Sequence, residues 1–451
     1  MNNDSNSKNR STPRLEVGQR KGRAKRAIRR AKRIASRTII ALSKRSERFR
    51  LLSRAALDEW RKAKYRTHVR GAEIDDKVIF FESFQARSYS CNPKALYKAI
   101  VADPRFDDYK LVWAFRSPRA YAEVAELGRA TIVSFGSPIY NDYHARAKYW
   151  IQNAIIPIHL TPRDGQVYVQ TWHGTPLKRL GCDIREESSG NVLFSADEIH
   201  KRYLREGARL TYLLSPSAFA TEKLGSAFGL ATLGKTSAII EEGYPRNDFL
   251  ATFDQSDVAD VKGRLGIPAG KKVILYAPTF RDNQHSSATG YKLDLGLDFG
   301  KLHDDLGDDY VVLFRAHYLV ARTFDFASHE GFIYDVSDVD DINELYIASD
   351  VLVTDYSSVF FDFANLERPI VFFMFDLEDY AENLRGIYLD TAELPGPIAR
   401  TYDELLSAIR CSDSPSPELS ERYNAFNGRY NYLDDGHASE RVIERVFGSV
   451  L

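Results

Sequence analysis

The stretch "VLVTDYSSVFFDFANLERPIVFF", Val351 to Phe373, decides the fold. It begins as a short run of β-branched and aliphatic residues. "DYSS", Asp355 to Ser358, breaks that run, and "SSVFFDFANLE" then repeats apolar residues at helical spacing. A proline and a second apolar run, "PIVFF", close it. Strand, helix and strand in so short a length read as a parallel βαβ unit, whose strands are buried on both faces and so lack polar alternation. The same style extends outward. "KVILYAPTF", "YVVLFRAH", "FIYDVS" and "GIYLD" belong to a series over residues 272 to 390, with "GRLGI" and "INELYIAS" among the helical segments. Upstream, "KVIFFES", "YKLVWAF", "TIVSFG", "YWIQNA", "VYVQTW" and "YLLSPS" form an earlier series. Two successive α/β series predict two Rossmann-like domains, residues 73–240 and 241–451, the second including the C-terminal helices. The active site is expected in the cleft between them.

The chain has 451 residues, 44% of them hydrophobic, which suits a globular protein of two or three domains. Cys91, Cys182 and Cys411 are widely spaced, so neither a zinc site nor a disulfide framework is suggested, and a reducing setting fits. No apolar run approaches the roughly 18 residues of a membrane span, and no secretory signal core is expected at the N-terminus. The formal net charge of zero conceals a division. Residues 1–70 hold 23 Lys and Arg against 5 Asp and Glu, and the remaining 381 residues hold 39 against 57. Residues 1–72 are therefore a basic arm on an acidic body. Ile28, Ala31, Ala35, Thr38 and Leu42, then Leu52, Ala56 and Trp60, recur at helical spacing within it, describing a basic amphipathic helix after a disordered first dozen residues. Such a helix suits an anionic membrane surface; a solvated tail, a transit peptide and a nucleic-acid arm are the competing readings.

Several motifs carry chemistry. "GLATLGKT", Gly229 to Thr236, satisfies the phosphate-loop string, yet a helical stretch leads in and a strand leads out, the reverse of what phosphate binding requires. It reads as a chance match. No GxGxxG follows a strand and no HExxH occurs, so no dinucleotide cofactor or catalytic metal is expected. Ser357 and Ser358 begin a helix at a strand end, which describes an anion site or simple N-capping. "FRAH" puts Arg315 and His317 at another strand end, and "APTFRD" puts Thr279 and Arg281 at a third. Three strand ends offering donors point jointly to a diphosphate. In the first series, "VQTWHGTPLKRLG" places His173 between Trp172 and Gly174 just after a strand. A packed core histidine and a general base both fit that position.

"FESF…YSCNPKALY", "QTWHGTPLKRLG", "GYPRND", "YAPTFRD", "FRAH", "VTDYSSVFFDFANLERPIVFF" and "RGIYLD" occur in this order from Phe81 to Asp390. Together they resemble the CDP-glycerol:glycerophosphate glycerophosphotransferases, which include teichoic acid primases and polymerases and related capsule polymerases. The resemblance implies a GT-B-like fold, a CDP-glycerol or other CDP-polyol donor, a lipid-linked polyol-phosphate or glycan acceptor, and release of CMP. It also implies a peripheral protein on the cytoplasmic face of the membrane, held there by residues 1–70, with no nucleic-acid partner. Under it His173 is the general base, with Trp172, Gly174 and Lys178 supporting. Arg315, His317, Ser357, Ser358, Thr279, Arg281 and Arg385 hold the donor nucleotide and diphosphate, while Asp355 and Asp362 are structural. Arg246 and Asp248 fix the interdomain crossover. A nucleotide-sugar glycosyltransferase on the same fold is the alternative enzyme. A retired, non-catalytic membrane-binding transferase would have lost His173 or "DYSS", and both are present.

Overall fold

The computed structural model describes residues 47–185, 195–279, 285–286, 290–291, 295–315, 326–377 and 386–448. The chain divides into two compact units, Met1–Arg70 and Gly71–Leu451. In the first, Glu47–Val69 is a single helix. It contains neither Gly nor Pro and is rich in Arg, Ala, Leu and Lys, all strong helix formers. Leu52 and Trp60 are 71% and 60% exposed, and Ala56 beside them is also exposed. Ile28, Ala31, Ala35, Thr38 and Leu42 lie outside the described residues.

The larger unit contains both strand series. The first forms β1 (Asp75–Glu82), β2 (Lys110–Phe115), β3 (Ala130–Ser134), β4 (Ala147–Gln152), β5 (Val167–Gln170), β6 (Tyr212–Ser215) and β7 (Ile239–Glu241). Their order in the sheet is β3-β2-β1-β4-β5-β6-β7, parallel throughout. The second begins with β8 (Lys272–Ala277), followed by a small antiparallel pair, β9 (His285–Ser286) and β10 (Gly290–Tyr291). β11 (Tyr310–Phe314), β12 (Ile333–Asp335), β13 (Val351–Thr354), β14 (Ile370–Phe373) and β15 (Ile398–Ala399) complete it. With β8 they make a parallel sheet ordered β12-β11-β8-β13-β14-β15. Each sheet reverses its strand order beside its first strand, between β1 and β4 and between β8 and β13, and open α/β sheets bind ligands at the carboxyl ends of strands at such points.

The apolar runs are continuous because both faces are covered. Along β8, Val273, Leu275 and Ala277 pack into one core, while Ile274 and Tyr276 pack into the core on the opposite face. A fully buried side chain of this kind contributes about 1.5–3 kcal/mol. The helix that joins the two sheets shows its boundaries in its sequence. The helix Gln255–Leu265 has a capping box between Asp254 and Asp257 and ends at Gly266, whose φ of +69° favours a residue without a side chain.

Two features differ from the sequence expectation. "GIYLD" is not a strand: Ile387 makes a single antiparallel bridge with Lys178, and the segment straps the two domains together instead of extending a sheet. Leu389 is buried in the second domain's core and Ile387 packs against it half-buried, which gives the same composition as a strand. The helix Ala438–Phe447 follows the second sheet in the chain, yet Val442, Ile443, Val446 and Phe447 pack into the first sheet's core with Ile79, Phe81 and Trp113. Asp248 of "GYPRND" holds that return, accepting hydrogen bonds from the backbone N–H groups of Ala438 (2.8 Å) and Ser439 (2.7 Å).

Candidate active site

His173 follows β5 by three residues. Trp172, just before it, has φ +49°, a left-handed conformation that costs an aromatic residue on the order of 1–3 kcal/mol. The surroundings enforce it. Trp172 donates its N–H to Gln170 Oε1 (3.1 Å), its carbonyl accepts from Asn92 Nδ2 (3.3 Å), and its ring meets Phe228 edge-on at 5.3 Å. This sharp turn carries His173 into the cleft. There Nδ1 lies 2.6 Å from the Asn153 carbonyl. A carbonyl only accepts, so Nδ1 bears the hydrogen and Nε2 keeps the lone pair. Burial, opposed by the Asn153 hydrogen bond and assisted by the Arg246 charge, brings the imidazole down to about 4. The ring is neutral at physiological pH.

Gly174 permits close approach from the opposite domain. A Cβ there would lie 3.2 Å from Ser358 Oγ, so any side chain would require Ser358 to give way by a few tenths of an ångström. Ser357 and Ser358 follow β13, but the helix they were expected to begin is one short turn, Val359–Phe363, and Ser358 makes no side-chain cap bond. Simple N-capping is thus not their arrangement, and both hydroxyl residues line the cleft. Arg315, at the end of β11, is half-buried and anchored through Nη1 to the carbonyls of Val339 (2.7 Å) and Val336 (3.3 Å). These neutral acceptors orient the guanidinium, while the Asp340 and Asp341 carboxylates lie close enough to act on its charge. Asp355 stands behind the wall, accepting from the Thr279 backbone N–H at 2.7 Å and tying the end of β8 to that of β13.

These residues surround one cavity of about 510 Å3. Trp172, His173, Gly174 and Lys178 come from the first domain, and Thr279, Arg315, Ser357 and Ser358 from the second. Arg281, His317 and Arg385 lie outside the described residues. Among the described residues no group of three or more His, Cys, Asp or Glu is placed to hold a metal ion.

Sequence reasoning missed the supports of His173. Arg246 donates through Nη1 to the His173 carbonyl (2.8 Å) and through Nη2 to Asp362 (2.6 Å), both side chains being buried. Asn92 braces the same turn from below, donating to the Thr171 carbonyl at 3.0 Å. Asn92 and Arg246 stand in motifs noted above, but nothing in their spacing identifies the backbone carbonyls they serve.

The phosphate-loop string is not a phosphate site in this fold. Lys235 donates to the carbonyls of Ala208 (2.8 Å) and Leu210 (2.9 Å), where the helix Ala196–Arg209 ends, and a 3-10 turn and β7 follow it. Lys235→Ala is expected to leave nucleotide affinity nearly unchanged, whereas Arg315→Ala weakens it by about 1.5–3 kcal/mol, the worth of a hydrogen bond to a charged group. Calorimetric titration with a cytidine nucleotide checks both; a large loss from Lys235→Ala alone would contradict this assignment.

The family model described as CDP-Glycerol:Poly(glycerophosphate) glycerophosphotransferase matches residues 63–448. A teichoic acid poly(glycerol phosphate) polymerase of Bacillus subtilis is 41% identical over 376 residues, which are 83% of this chain and 49% of that protein. A teichoic acid glycerol-phosphate transferase of Staphylococcus aureus is 38% identical over 374 residues, 82% of this chain and 92% of that protein. The chain thus spans about half the length of the first relative and most of the second. The solved structure of the wall teichoic acid polymerase TagF matches with a TM-score of 0.77 at 34% identity, covering 89% of this chain and 96% of that one. A histidine-to-asparagine variant of TagF with CDPG matches with a TM-score of 0.78. The two parallel-sheet domains are a GT-B-like fold shared with that protein.

Proposed function

The chain belongs to the CDP-glycerol:poly(glycerophosphate) glycerophosphotransferase family, and from that premise we propose that it transfers glycerol phosphate from CDP-glycerol to an acceptor hydroxyl on a lipid-linked teichoic acid-type polymer, releasing CMP. The observation that carries the reading is the single cavity that sets His173 of one domain against Arg315, Ser357 and Ser358 of the other. The acceptor oxygen forms a bond to the β-phosphorus as the bond from that phosphorus to the CMP oxygen breaks. His173 Nε2 takes the acceptor's proton, a task suited to a neutral imidazole whose other nitrogen is fixed as a donor. Arg315 and the two serine hydroxyls stabilise the charge gathering on the departing CMP, with Thr279 beside them and Lys178 offsetting phosphate charge from the first domain. His317, Arg281 and Arg385 are proposed to complete the donor site. Incubation with labelled CDP-glycerol and, separately, with UDP-sugars tests the assignment. Release of CMP is expected; release of UDP alone would make the protein a glycosyltransferase.

The arm supplies the location in this proposal. No helix among the described residues is long and apolar enough to cross a membrane. Residues 1–70 combine an 18-charge basic excess with the exposed Leu52 and Trp60, a pairing suited to the anionic cytoplasmic face of a membrane. The full chain is expected to pellet with anionic vesicles at low salt and to be released as salt shortens the Debye length below roughly 10 Å. A chain lacking residues 1–70 should stay in the supernatant. Equal pelleting of the two would remove the arm from the account.

A further inference from the structure

Directly after β1 the chain makes a turn to which the transferase chemistry above gives no part. Phe84, Gln85 and Ala86 have φ values of +47°, +56° and +63°. Residues with side chains visit this left-handed region singly, and three in succession without a glycine are costly. Such strain persists where the surroundings over-determine it. The Arg87 N–H closes this turn onto the Ser83 carbonyl at 3.2 Å. Arg116 donates its backbone N–H to the Ala86 carbonyl (2.7 Å) and its Nε–H to the Gln85 carbonyl (2.9 Å), and the Phe84 N–H meets Asn153 Oδ1 at 2.7 Å. Asn153, directly after β4, serves twice. It is fully buried, and its own carbonyl is the acceptor that fixes His173 Nδ1. One residue therefore sets the place of Phe84 and of the imidazole together.

The result is an aromatic cover. The Phe84 ring meets the half-buried His173 ring edge-on at 5.5 Å, and the Trp172 ring lies 4.3 Å from it. Phe84 and His173 both line a chamber of about 160 Å3 that shares His173, Arg315 and Ser358 with the larger cavity. Removing the phenyl ring widens that space in front of the imidazole. We propose that Phe84 is a positioning residue: its left-handed turn, tied to Asn153, lays the ring against His173, where it keeps water from the imidazole and holds the base in place. The proposal rests on the transferase reading above and adds to it what keeps the base dry. Other groups surround the imidazole: Lys178 from its own loop, Cys91 from the helix Cys91–Ala102, Arg246 from the crossover, Arg315 past β11, and Asp340, Asp341, Tyr346 and Asp362 from the second domain. Of their charges, that of Arg246 bears on the imidazole and lowers it. All of them stay in place when Phe84 is changed. Water admitted beside the ring favours the charged imidazolium, so its value rises from about 4 toward the ordinary 6.5.

NMR titration of the full chain carrying isotope-labelled histidine tests it, the His173 signal being identified by its absence from His173→Asn. In Phe84→Ala the His173 midpoint should move upward from the parent's by about one pH unit or more. Phe84→Val should lie between the two, and it carries the test if the alanine variant does not fold. Phe84→Leu keeps an apolar cover and should titrate with the parent. The acid limb of kcat/KM for CMP release should move in the same order, while affinity for CDP-glycerol stays within about twofold. Alanine and valine variants that titrate with the parent overturn the proposal. So does a parent midpoint at the ordinary 6.5, or an equal rise in Phe84→Leu. The midpoint is read without turnover, so the two readings fail separately. A displaced midpoint in a protein that releases no CMP removes the transferase and leaves the cover standing, and CMP release with an undisplaced midpoint does the reverse.

Discussion

His173→Ala is expected to lower single-turnover CMP release by about 10²- to 10⁴-fold, the usual contribution of a positioned general base. Donor affinity should change little, because the proposed base would act on the acceptor's proton and not on the diphosphate. The imidazole also makes a 2.6 Å hydrogen bond to the Asn153 carbonyl and meets Phe84 edge-on at 5.5 Å, so the variant loses some packing. Thermal unfolding of the same protein separates the two effects. The pH profile supplies a second readout. A base must be unprotonated, so kcat/KM rises as pH passes upward through the free enzyme's value and is then level. With burial holding His173 at about 4, the acid limb belongs near that pH and not near the 6.5 of a free imidazole. Activity within tenfold of the parent, or a loss accounted for by unfolding alone, would falsify the catalytic assignment.

Arg246→Ala is expected to destabilise the fold by about 3–5 kcal/mol, the cost of leaving one member of a buried ion pair without its partner. Arg246 and Asp362 are 7% and 5% exposed at their side chains and 2.6 Å apart. The same guanidinium reaches Cys91 Sγ at 3.2 Å and the His173 carbonyl at 2.8 Å, joining the first domain's turn to the second domain's helix Val359–Phe363. Arg246→Lys restores a charge opposite Asp362 but not the planar fork that serves carbonyl and carboxylate together. It should therefore recover much of the stability and less of the turnover. Denaturant unfolding beside CMP release measures both, and a loss below about 1 kcal/mol in Arg246→Ala shows that the pair is not the joint described here.

Much of the fold is legible in the residues because burial leaves a local signature. Runs such as "VLVT" and "IVFF" lack alternation since both faces of β13 and β14 are covered, and that alone separates a parallel sheet from a half-exposed one. "GIYLD" shows where the signature misleads: the interdomain strap is as apolar as a strand, and composition does not reveal what buries it. The donors past the ends of β8, β11 and β13 are readable for a similar reason, each standing within four residues of a strand's end.

What the sequence by itself determined is the parallel α/β architecture, the division between a basic arm and an acidic body, and the identities of His173, Arg315, Ser357 and Ser358 as residues at strand ends. Only the tertiary structure decided that His173 and Ser358, 185 positions apart, line one cavity. It also decided that Arg246 stabilises the turn carrying the histidine, and that the last helix returns to the first core. The physical reason is the range of the interactions. Apolar periodicity and turn chemistry are properties of neighbouring residues. The partner of a buried charge or of a backbone carbonyl depends instead on the path of the whole chain, which the side chain itself does not record.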